Sequence, residues 1–179
     1  MTLAEALIAA AIGMTVTGGV LTLADPAQQT FQAQLELSDM LQRLRAGAEA
    51  LARDLRMAEA VSPSGAGAIT IRFAPGADAA VVTRTYDLRT DAAAGAFQLI
   101  RRDDSQVNLP VVDQVAGLAF EYFGEPEPCD AGLLRITRIR VTLRVQAASA
   151  SLRARLPDQE IRFDVAPRNL RPEVSTCSW

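Results

Sequence analysis

MTLAEALIAAAIGMTVTGGVLTLA, residues 1–24, carries one charged side chain, Glu5, among residues that are otherwise apolar, Gly or Thr. Residues 6–24 are uncharged, and at about 1.5 Å rise each a helix of that length covers roughly 28 Å, close to the hydrocarbon thickness of a bilayer. The stretch reads as a membrane span. A secretory signal would open with a basic region and close at a small-residue cleavage site. Here the first basic residue is Arg43, and no A-x-A site leads into a polar segment, so the helix is read as retained.

Glu5 is the odd residue in this run. An ionised carboxylate in hydrocarbon costs about 2.5–3.5 kcal/mol at mid-helix and less near an end, and it normally indicates a partner. No Lys, Arg or His occurs in the first 42 residues. The remaining local cation, the Met1 amine, lies about a turn away, and a helix places it poorly for its own Glu5. A neighbouring copy of a similar helix would present its amine instead.

With those residues in view, MTLAEALIAAAIG resembles the N-terminus of mature type IV pilins and pseudopilins: an apolar first residue, Thr, Leu, any residue, Glu, then an apolar helix. The resemblance implies that a prepilin peptidase cuts a short basic leader ending in Gly. It further implies that the new amine on Met1 is methylated, and that Thr2, Leu3 and Glu5 form the assembly motif. Glu5 would then pair with the N-terminal amine of an adjacent subunit. The alternative is an ordinary single-pass anchor with Met1 as initiator. Met at the first position replaces the commoner Phe, and the anchor is richer in Ala than the family's usual Ile and Val.

Several later phrases narrow the resemblance. LARDLRMAEA, TYDL, FQLIRRD, LPVVDQVAGLAFEYF and FDVAPRNL look like the W-type minor pilins of type IV pili, with the J-type minor pseudopilins of type II secretion as near relatives. In packed filaments of this family the anchor helix is partly unwound. Gly13, Gly18, Gly19 and Pro26 would ease such unwinding, each Gly weakening a helix by about 1 kcal/mol relative to Ala. For the glycines, close helix packing in lipid is the competing reading. Asp25-Pro26 reads either as an N-cap followed by Pro at the first helical position or as a kink within one long helix.

From 27 to 61 the period becomes 3.6: Phe31, Leu35, Leu41, Leu44, Ala48, Leu51, Leu55 and Ala58 form one stripe, expected to be buried. The remaining faces carry Glu36, Asp39, Arg43, Arg45, Glu49, Arg53, Asp54, Arg56 and Glu59, a mixed set expected in solvent. Ser62-Pro63-Ser64-Gly65 is expected to end the helix.

The signal then switches to period two. Strands are predicted over 68–73, 81–88, 97–102, 115–123, 134–146 and 160–166, separated by Gly, Pro and Asp clusters. In the fifth, Ile139, Val141, Leu143 and Val145 line one face, opposite Arg138, Arg140 and Arg144. Consecutive strands without intervening helices imply an antiparallel sheet covering the helix stripe. The expected fold is α+β and pilin-like: residues 1–26 as transmembrane segment, 27–61 as amphipathic helix, 62–179 as a β-rich periplasmic head.

The net charge of −3 argues against a nucleic-acid-binding surface. All 18 basic residues are Arg, and without Lys or His the chain lacks the usual general base, Schiff-base nucleophile, His ligands and Ser-His-Asp triad. No cofactor, metal or enzymatic activity is expected. The acidic groups Asp103-Asp104, Glu121 with Glu125 and Glu127, and Asp158 with Glu160 lack calcium-loop spacing and read as solvated loops. Arg101-Arg102 and the strand arginines read as solvent-facing, or as partners for another chain's carboxylates or for phosphate. In a periplasmic domain, which the resemblance implies, Cys129 and Cys177 are expected to form a disulfide tethering the tail, worth about 4 kcal/mol by loop-closure entropy. Unpaired thiols are the alternative. Trp179 would then sit near the head surface, closing the core or touching a partner.

The function these readings imply is that of a non-enzymatic minor pilin in the inner membrane. Its expected partners are other minor pilins or pseudopilins, the major pilin, prepilin peptidase, the inner-membrane assembly platform, and lipid before assembly. A minor pseudopilin of type II secretion and a single-pass periplasmic binding module are the alternatives.

Overall fold

The computed structural model describes residues 2–65, 67–74, 80–91, 96–104, 107–126 and 134–170, apart from the side chains of Leu21, Leu23, Asp25, Pro126, Leu134 and Arg135. Met1, Glu127, Cys129, Cys177 and Trp179, and with them the disulfide reading, lie outside the described residues. The fold is α+β: an N-terminal apolar helix and an antiparallel seven-stranded sheet.

Helix α1 runs Leu3–Met57, with Pro26 inside it. Of the two readings of Asp25-Pro26, the one with a single long helix holds. The chain divides into two compact units, Met1–Ser38 and Asp39–Trp179. In the first, Leu3–Val20 has a mean hydropathy of 1.7 and is long and apolar enough to cross a bilayer. Phe31 and Leu35, expected in the buried stripe, are 61% and 56% exposed, and Leu41 in the second unit is 38% exposed. Burial on α1 starts only at Met40, where the sheet supplies a partner, and then follows Leu44, Ala48, Leu51, Leu55 and Ala58.

The second unit is a meander in which each strand pairs with the next. In order these are β1 (Ala60–Pro63), β2 (Ile69–Phe73), β3 (Val82–Asp91), β4 (Ala96–Arg102), β5 (Asn108–Pro126), β6 (Leu134–Val145) and β7 (Gln159–Val165). A short helix, α2 (Ala150–Arg153), lies between β6 and β7. Strand β1 departs from the expectation that the helix continues to 61. The Glu59 N–H donates to the Arg72 carbonyl at 2.8 Å, drawing the chain against β2 two residues after α1 ends. Pro63 is tolerated there because β1 is an edge strand. The Arg168 N–H donates to the Arg56 carbonyl at 3.2 Å, satisfying one end carbonyl of α1.

The core lies between α1 and one sheet face, where Ile69, Ile71, Tyr86, Leu99, Val115 and alternate residues of β6 from Ile139 to Val145 are fully buried. Each large apolar side chain removed from water there contributes about 1.5–3 kcal/mol. Gly47 sets the closest approach of helix to sheet: a Cβ at that position would overlap Val112 and press on Leu143. Strand β5 starts earlier than predicted because bulges hide its period. Register shifts bring both Val112 and Val115 to the buried face, and Gln114 between them takes φ 57°. Arg153 holds this bulge, donating to the Gln114 side-chain oxygen at 3.0 Å.

Candidate functional site

The N-terminal motif forms a closed local structure. The Thr2 N–H donates to a Glu5 carboxylate oxygen at 2.8 Å, and the Glu5 N–H lies 3.4 Å from the Thr2 hydroxyl oxygen. This reciprocal arrangement is a capping box, which satisfies donors the first turn of a helix leaves free. Leu3 is exposed at the start of α1. The carboxylate expected to need another chain therefore already has an acceptor role within its own helix, though among the described residues its charge meets only a neutral N–H.

The other polar side chains described in the apolar stretch also turn inward on the backbone. Thr15 donates to Ala11 and Ile12 carbonyls at 2.9 Å, Thr17 to Gly13 at 2.7 Å and Thr22 to Gly19 at 2.8 Å. Such bonds leave these hydroxyls needing nothing from their surroundings, which suits hydrocarbon. Thr30 donates likewise to the Pro26 carbonyl at 2.8 Å. A side chain on Gly13, Gly18 or Gly19 would meet nothing within 4 Å, and the helix runs through all three.

The second cluster lies where α1 meets the sheet, and the sequence reading placed its members apart. Asp54, expected in solvent, is 5% exposed. Its Oδ2 accepts from Tyr86 Oη at 2.5 Å and from Arg84 Nη1 at 2.5 Å, both on β3. Arg84 Nε donates to Asp103 Oδ1 at 2.7 Å, and the guanidinium carbon lies 4.9 Å from the Phe73 ring centre. Arg101 Nε is 3.5 Å from the same Asp103 oxygen. Asp104 accepts the Thr83 N–H at 3.0 Å. Asp103 and Asp104 do lie in a loop after β4, Asp104 exposed as the composition suggests and Asp103 partly buried, and the bonds they accept tie that loop to β3. Asp54 had a legible signal, since it sits three residues after Leu51 and four before Ala58 on the apolar arc.

The electrostatics follow from this packing. Burial opposes the charge on Arg84, but its bonds to Asp103 and Asp54 outweigh that and raise its proton affinity further. The bond from Arg84 holds the Asp103 carboxyl below the usual range. Burial, then the adjacent Asp54, push the Tyr86 phenol up, while burial alone pushes Tyr122 up to about 12. The Tyr122 hydroxyl is buried and has no hydrogen-bond partner among the described residues.

These are the chain's two tyrosines, which makes a pH prediction direct. Both folded values lie above the free phenol's, so their contribution is complete below about pH 10 and is lost as pH rises through the folded values. Ultraviolet titration should show almost no tyrosinate at about pH 10, followed by ionisation together with unfolding toward pH 12. Tyr122→Phe should raise stability by about 1 kcal/mol in urea denaturation, because it removes a half-buried ring's unsatisfied hydroxyl.

On the sheet face away from α1, Arg140 donates to Asp164 at 2.9 Å and lies 3.6 Å from Glu121. Arg138 and Arg140 stand over the Phe123 ring at 4.3 and 5.1 Å. These arginines face outward as the alternation predicts, and their charge is largely matched within the sheet. Among the described residues no group of three or more acidic, Cys or His side chains is placed to hold a metal. Comparison of the chain with family models, with curated proteins and with solved structures found no match.

Proposed function

We propose that this chain is a minor pilin, a non-enzymatic subunit that helps prime assembly of a type IV pilus together with other minor pilins and the major pilin. In this reading the fold is pilin-like. Residues near Leu3–Val20 anchor the subunit in the inner membrane, and the sheet domain stands in the periplasm. During assembly Glu5 exchanges its capping bond for the methylated amine of a neighbouring subunit. The single observation that carries the reading is a lone acid at position 5, preceded by Thr2 and Leu3, at the head of an apolar helix whose described threonines are internally satisfied.

Mass spectrometry of the N-terminal peptide from membrane-purified protein tests it. A methylated amine on Met1 is the expected result. An unmodified, formylated or longer terminus in the mature protein would remove the basis for the proposal and favour a simple anchor.

A further inference from the structure

No further inference is drawn: the strongest candidate, the exposed apolar face of α1 at Phe31 and Leu35, has no partner among the described residues, and nothing in the structure shows what covers it.

Discussion

On the proposed pilin reading, Glu5→Ala is expected to reduce incorporation into filaments by at least about tenfold while the sheet domain stays folded. A tenfold change corresponds to about 1.4 kcal/mol, less than the interaction being removed. In the helix as it stands the carboxylate accepts the Thr2 N–H at 2.8 Å, a capping contact of the kind worth about 1 kcal/mol. A cationic amine from a neighbouring subunit would bind the same oxygens more strongly, because charge-assisted bonds are roughly twice as strong as neutral ones and the surroundings are of low dielectric. On the proposed reading, assembly would exchange a weak partner for a strong one. Two further variants separate the contributions. Glu5→Gln keeps an oxygen for capping and loses the charge, so it should fail nearly as badly as Ala. Thr2→Ala removes the hydroxyl facing the Glu5 N–H and leaves the carboxylate, so it should assemble within a few-fold of wild type. Immunoblotting of sheared filaments measures all three, and near-normal incorporation of Glu5→Gln would show that capping, not charge, is what Glu5 supplies.

The regular parts of the fold were legible because each is written in a single period. The alternation from Ile139 to Val145 predicted the buried face of β6 residue by residue. Where two periods or two partners compete, the sequence was ambiguous. Strand β5 begins at Asn108, but Pro110 and the Asp113-Gln114 step look like turn residues until a bulge absorbs them and restores Val115 to the core. On α1 the apolar stripe has the same period at Phe31 as at Leu51, yet Phe31 is exposed and Leu51 fully buried. Amphipathicity tells which face of a helix will be buried; it does not tell where along the helix the covering surface begins. The charged cluster was hidden for another reason. Asp54, Arg84 and Asp103 are far apart in sequence, and each looks like an ordinary surface residue until the strands are aligned.

Asp54→Ala is expected to destabilise the sheet domain by about 3 kcal/mol, close to the lower end of what removing one partner from a buried ion pair costs. The lower end applies because Arg84 keeps Asp103, while the Tyr86 hydroxyl loses the Asp54 acceptor outright. For a domain of this size the melting temperature should fall by about 6–12 °C, measurable by circular dichroism. Asp54→Asn should cost less, since an amide oxygen still accepts from Tyr86 and Arg84. The informative variant replaces the buried group as a whole: Asp54→Leu with Arg84→Met and Tyr86→Phe should recover most of the lost stability, because no buried polar atom of the three is then left unpaired. Asp103, relieved of Arg84, retains Arg101 nearby. Acid adds a second readout. The Asp103 carboxyl is held below its ordinary value by Arg84, so its contribution is present above about pH 4 and is lost as pH falls through the depressed folded value. The triple variant, lacking Arg84, should therefore lose less stability than wild type between pH 4 and pH 2. If it proved as unstable as Asp54→Ala alone, with wild-type sensitivity to acid, the cluster would not be what fastens α1 to β3.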